Sequence, residues 1–168
     1  MSILCGVMKR WIIDGHNVLH ASSELRGLLS ADSSSTSAQR ALIHRVSVLK
    51  DFGGGSVEVV FDSRHEKSHR DRWQERQGVK GIEVTYGSAD TQADSIIEQR
   101  VVASAAPESY RVVTNDRMIR HAVEAAGAEA VSVEAFVREL AQIEARQSRV
   151  INQLSKTAGA EFGNRLEF

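Results

Sequence analysis

The chain has 168 residues, 42% of them hydrophobic and 26% charged, with a net charge of −1. That suits one globular domain with a core large enough to need no staples, and it excludes a surface that attracts nucleic acid everywhere; such a site must be a local basic patch. The single cysteine, Cys5, excludes a disulfide framework or a cysteine-rich zinc site within the chain and suits a reducing, cytoplasmic setting.

Residues 1–9 read as an N-terminal extension. The stretch is mildly apolar up to Met8, with Lys9 and Arg10 behind it, the reverse of the order in a secretory signal. No segment reaches the ~20 apolar residues of a membrane span. Trp11-Ile12-Ile13 predicts a buried strand, and Asp14-Gly15 a turn after it. Ser30 to Ser37 reads as a serine-rich loop. Thr36-x-x-Gln39 has the spacing of a capping box, ahead of a helix with Ala38, Leu42, Val46 and Leu49 on one face and Gly53-Gly54-Gly55 as its stop.

Val57 to Phe61 is β-branched and compact, so it predicts a strand. A charged segment, Arg64 to Lys80, follows, and then a weaker alternating strand, Ile82 to Tyr86. Ala93, Ile96, Ile97 and Val101 mark a second helix, and Tyr110 to Thr114 a further strand. Met118, Ile119, Ala122, Val123 and Ala126 form the apolar face of a third helix, with Gly127 placed to end it. Ala130 to Val133 is a short strand. Helix resumes at Glu134 with Phe136, Val137, Leu140 and Ile143 apolar, and the pattern fades from Thr157 into a loose tail. The alternation predicts an α/β sandwich with a mostly parallel sheet. One domain spans 10–148, and 149–168 holds a helix end and tail.

The acids stand at telling places. Asp14 directly follows the first strand, Asp62 the second, and Asp116 comes just beyond the Tyr110 strand. Ligands of open α/β sheets bind beyond the carboxyl ends of the strands, so these three converge at one edge, and Asp94 at the start of the second helix can join them. Clustered carboxylates repel and raise one another's pKa, which a divalent cation relieves. An all-oxygen donor set suits Mg²⁺ or Mn²⁺, and such an ion suits phosphodiester hydrolysis. Each acid also has a local reading: Asp14 as a turn residue, Asp62 as a turn start, Asp94 in the box Thr91-x-x-Asp94, and Asp116 as a helix N-cap. Asp90 stays with the local reading.

Four motifs in order resemble the NYN domain, specifically the YacP-like branch of the PIN-like ribonucleases. They are Ile12-Ile13-Asp14-Gly15-His16-Asn17, Val59-Val60-Phe61-Asp62, Ala93-Asp94 with Ile96-Ile97-Glu98, and Val113-Thr114-Asn115-Asp116. The resemblance covers about Arg10 to Leu140. It implies a PIN-like three-layer α/β/α fold, an Mg²⁺ or Mn²⁺ site at Asp14, Asp62, Asp94 and Asp116 as metal-binding and catalytic residues, and RNA cleavage, with translating ribosomes as one setting. Asn17, Thr114 and Asn115 fall in the motifs as supporting residues, Asn17 by orienting Asp14 or a metal-bound water. Two departures from the pattern are His16, where the branch often has Tyr, and Thr91-Gln92-Ala93-Asp94, one residue longer than expected, which leaves Asp90 as a substitute acid.

Arg64, Lys67, Arg70 and Arg72, with Arg76, Lys80 and Trp73, follow Asp62 and can hold RNA phosphates and stack a base; Arg117 is another phosphate candidate. Read as a solvated helix with a core Trp, the same segment needs no ligand. The reading is a metal-dependent endoribonuclease acting on RNA in processing or decay. A non-catalytic RNA- or ribosome-binding domain and a small-phosphoester phosphatase remain open as alternatives, and oligomeric state is not readable. A P-loop is excluded by pattern, as is a GxSxG elbow.

Overall fold

A computed structural model describes residues 9–31, 36–53, 55–62, 81–88 and 92–163. Five strands form one sheet: β1 (Arg10–Asp14), β2 (Val57–Phe61), β3 (Ile82–Tyr86), β4 (Tyr110–Val113) and β5 (Glu129–Val131). Their order is β3-β2-β1-β4-β5, and every pairing is parallel. Among the described residues the α-helices are α1 (Gly15–Ala21), α2 (Ser23–Ala31), α3 (Thr36–Gly53), α4 (Ala93–Val102), α5 (Arg117–Ala125) and α6 (Val133–Gly163). This is the PIN-like three-layer α/β/α sandwich.

The layers follow from the strand sequences. Strands of a parallel sheet are covered on both faces, so they read as apolar runs with alternate residues serving different cores. Trp11 and Ile13 of β1, Val57, Val59 and Phe61 of β2 and Val113 of β4 pack into one core with α1, α2, α3 and α6. Ile12, Val60 and Val112 point the other way, against Ala93, Ile97 and Val101 of α4 and Ile119 and Val123 of α5. Ala38, Leu42, Val46 and Leu49 of α3 are fully buried, as their spacing predicts.

Local signals explain several boundaries. Gly127 has φ +103° behind α5, a conformation that favours glycine. Gly15 is required for a different reason: a Cβ there would lie 2.3 Å from the Phe61 ring. The chain leaves β1 so close to β2 that only glycine fits.

Four expectations need correction. Asp14-Gly15 is not a free turn but the start of α1, because Asp14 caps that helix. A second helix, α2, follows it and takes in Ser30, placed in a loop by its serine content. Met118, assigned to the buried face of the third helix, is 76% exposed; it sits in the first turn of α5, where the chain has just left the sheet edge. Helix α6 starts one residue early and runs to Gly163, past the expected end of its pattern at Thr157.

Candidate active site

The order of strands fixes where a site can form. From β1 the chain places β2 and β3 on one side and β4 and β5 on the other. The reversal opens a crevice at the carboxyl ends of β1 and β4. Asp14 ends β1, and Thr114 follows β4. Their side chains meet across that seam, the Thr114 hydroxyl donating to Asp14 Oδ2 at 2.9 Å.

Asp14 is 2% exposed, one of few buried polar residues. Burial of a carboxylate is costly unless its oxygens are satisfied. Here Asn17 donates its backbone N–H to Oδ1 at 3.1 Å and its Nδ2 to Oδ2 at 2.6 Å. The N-terminal end of α1 favours the negative charge further. Thr114 in turn accepts the Asp116 N–H at 3.1 Å, so one hydroxyl ties the first and last motifs together.

Asp116 caps α5, its Oδ1 accepting the N–H groups of Met118 at 2.7 Å and Ile119 at 3.3 Å. Asp62 accepts the Ala93 N–H at 3.0 Å, serving α4, whose own N-cap residue, Gln92, makes no side-chain cap bond. The local and functional readings of these acids are therefore compatible. Capping a helix with one oxygen holds each carboxylate still at the sheet edge. Among the described residues, no protein donor reaches Oδ2 of Asp62 or Asp116.

Asp94 lies in the first turn of α4, where the helix end alone would lower its pKa. Instead its carboxyl is pushed above its ordinary value, by loss of hydration and then by the charges of Asp14, Asp116, Asp62 and Glu98. All four aspartates of the motifs thus share one field. None has an ion pair with a described residue. Glu98 was not assigned to the site from sequence, although it stands four residues after Asp94, a spacing that puts two helix residues on one face.

Asn115 faces elsewhere. It donates to Glu134 at 3.0 Å and accepts the Val133 N–H at 2.9 Å, which fastens β4 to the start of α6. Arg117 is exposed at the head of α5. Beside Asp14 on α1, the His16 and His20 rings lie 4.3 Å apart. Arg64, Lys67, Arg70, Arg72, Arg76, Trp73, Lys80, Asp90 and Thr91 lie outside the described residues.

The model of the YacP-like NYN domain matches residues 11–167. The chain belongs to that family. The YacP-like NYN match extends over almost the whole chain, α6 included. A solved structure of Rae1 (YacP) from Bacillus subtilis is 27% identical, superposes with a TM-score of 0.77, and aligns over 92% of this chain and 86% of that one. A tryptophan-to-leucine mutant of the same Bacillus subtilis protein is 27% identical with a TM-score of 0.72, over 89% and 85%. No curated protein matches significantly. As a YacP-like NYN protein the chain is a nuclease-like, RNA-related domain, of a PIN-like group that commonly uses divalent metals.

The donor chemistry fits such an ion: oxygen ligands only, and a negative field with no described cation in it. As placed, no three His, Cys, Asp or Glu among the described residues form a group able to hold a metal together. Mg²⁺ keeps several of its waters and contacts one or two carboxylates, so acids at this wider spacing suit a hydrated ion. Among the described residues, no helix is long and apolar enough to cross a membrane.

Proposed function

We propose that the protein is an Mg²⁺- or Mn²⁺-dependent endoribonuclease that hydrolyses RNA phosphodiester bonds in RNA processing or decay in the cytoplasm, with the ribosome as one setting. The observation that carries this reading is the placement of Asp14, Asp62 and Asp116 at the carboxyl ends of β1, β2 and β4, with Asp94 at the head of α4 near enough for their charges to raise its pKa. Unpaired acids of this kind repel phosphate unless a cation joins them.

Asp14, Asp62, Asp94 and Asp116 would hold the metal. When bound, the ion would neutralise phosphate charge and lower the pKa of a water ligand. Asn17 and Thr114 hold Asp14 in place through their hydrogen bonds. Asp116 is fixed by its cap bonds. Arg117, together with Arg64, Lys67, Arg70 and Arg72, holds the RNA backbone. The catalytic unit is residues 10–148.

The test is cleavage of a labelled single-stranded RNA by purified protein with Mg²⁺, Mn²⁺ or EDTA. Cutting is expected with either metal and not with EDTA. Asp116→Asn keeps an N-cap residue and is expected to lower the rate about a thousandfold, the effect of losing ~4 kcal/mol of transition-state stabilisation. Folded wild-type protein that binds RNA but never cuts would reject catalysis in favour of a binding module. Cutting of small phosphoesters but not RNA would favour a phosphatase.

A further inference from the structure

Helix α6 changes character along its length. Its first part is core: Val133, Phe136 and Leu140 are buried against the sheet. Its acids there serve the body of the domain, Glu139 bonding Arg111 at 2.8 Å and Glu144 bonding Arg45 at 2.9 Å. Past Glu144 the helix leaves the core. Val150, Ile151 and Leu154 are 45%, 53% and 65% exposed.

This distal part carries no acid from Ala145 to Lys156, but three bases, Arg146, Arg149 and Lys156. With Gln153 they fall at steps of three, four and three, which places them on one stripe of the helix. All three bases are exposed, and none forms an ion pair with a described residue. A groove of about 400 Å³ lies along the same side, lined among the described residues by Ala141, Gln142, Ala145, Arg146 and Arg149. Guanidinium is suited to bidentate phosphate binding.

We propose that this stripe is a second RNA-backbone contact, remote from the carboxylate site, which holds the phosphates of a long single strand. The proposal deepens the nuclease reading and rests on it for the choice of RNA as ligand. Charge separation argues for a polyanion: in a chain of net charge −1, an acid-free run of three cations with no ion pair among the described residues is local. Distance gives the contact its role. Helix α6 starts just beyond β5, at the same sheet edge as the acids. At 1.5 Å per residue, the stripe begins ~20 Å and ends ~35 Å along the helix from that start. A strand that reaches both sites must therefore extend about ten nucleotides, taking ~3.4 Å per stacked nucleotide. Short RNA would engage only the carboxylate edge.

The experiment compares the wild type with the triple variant Arg146→Gln, Arg149→Gln, Lys156→Gln. Binding of single-stranded RNAs of about 25 and about 5 nucleotides is measured across salt, in the Asp14→Asn background to prevent cutting. Each phosphate contact on a single strand contributes about −0.7 to the slope of log K against log salt. The triple variant is expected to flatten the slope for the long RNA by about 2 and to weaken its binding at low salt at least tenfold. Binding of the short RNA is expected to stay unchanged, as is cleavage of the short RNA by the triple variant with Asp14 intact. An unchanged slope for the long RNA overturns the proposal. So does self-association that the triple variant abolishes without a change in RNA affinity, which would make the stripe a protein contact. Wild-type protein that binds long RNA through the stripe but cuts nothing would sink the nuclease reading and leave this one standing.

Discussion

The two ends of the sheet use the same charged residues in opposite ways. At the amino end, acids meet arginines. Glu58 lies 3.4 Å from Arg100 and accepts the Thr85 hydroxyl at 2.7 Å. Arg111 bonds both Glu129 and Glu139, at 3.0 and 2.8 Å, with its guanidinium 4.3 Å from the centre of the Trp11 ring. At the carboxyl end, Asp14, Asp62 and Asp116 meet only neutral donors among the described residues, from Asn17, Thr114 and backbone N–H groups. The first arrangement locks strands and helices together. The second leaves negative charge unmatched, which destabilises the folded chain but is available to a cation. Natural proteins often place such costs at functional sites.

This contrast breaks most visibly at Asp14. Asp14→Asn is expected to lower RNA cleavage about a thousandfold (~4 kcal/mol) while the protein stays folded. Asparagine can still cap α1, although its single oxygen cannot accept all three bonds that the two carboxylate oxygens take from Asn17 and Thr114. Rates on RNA, set beside thermal unfolding curves, check this; a variant that is folded and fully active would remove Asp14 from the site. Arg111→Met should do the reverse. The arginine is half-buried between two acids, so its loss leaves them short of a partner and is expected to cost about 2 kcal/mol of stability, between the values for exposed and buried pairs. Activity per folded molecule should be unchanged. A loss of activity with no loss of stability would mean that the two ends are coupled.

How far this was legible in the sequence depended on range. Apolar runs gave β1, β2 and β4, because a strand buried on both faces needs no partner to be recognised, whereas β3, partly exposed along its length, was read only from its weaker alternation. Steps of three and four gave α3, and the wide apolar face of α5 gave that helix. Asp14, Asp62 and Asp116 were legible as a group through strand position alone, since a parallel sheet brings all its strand ends to one edge. Helix α1 was not legible as a helix. Asp14-Gly15 has the composition of a turn, and the need for glycine arises from Phe61, 46 positions away in the sequence. Met118 was misplaced because periodicity reports a helix face but not how far that face extends beyond the sheet. Asn115 matched a motif, yet its partners Val133 and Glu134 come from an element that no local pattern links to it.

The smallest expected effect tests the contrast most directly, at Asp94. Its pKa is raised in the folded state, so folding favours the protonated carboxyl. The stabilising contribution is complete below the unfolded value of about 3.9 and is lost as pH rises through the folded value. Above that pH the ionised Asp94 repels Asp14, Asp116 and Asp62. Asp94→Asn should therefore stabilise the metal-free protein at neutral pH, by a few tenths of a kcal/mol because the group is exposed, or about 1 °C in Tm. The gain should shrink as pH falls below the folded pKa. Mg²⁺ should reverse it, since an ion that binds the native state stabilises in proportion to its affinity, and the variant has one ligand fewer. Unfolding curves in EDTA and in Mg²⁺, from pH 4 to 8, read both effects. An equal gain in EDTA and in Mg²⁺ would show that relief of repulsion is real but that no cation depends on Asp94. No gain at any pH would show that the acids do not share a field, and the distinction between the two ends of the sheet would fail at its origin.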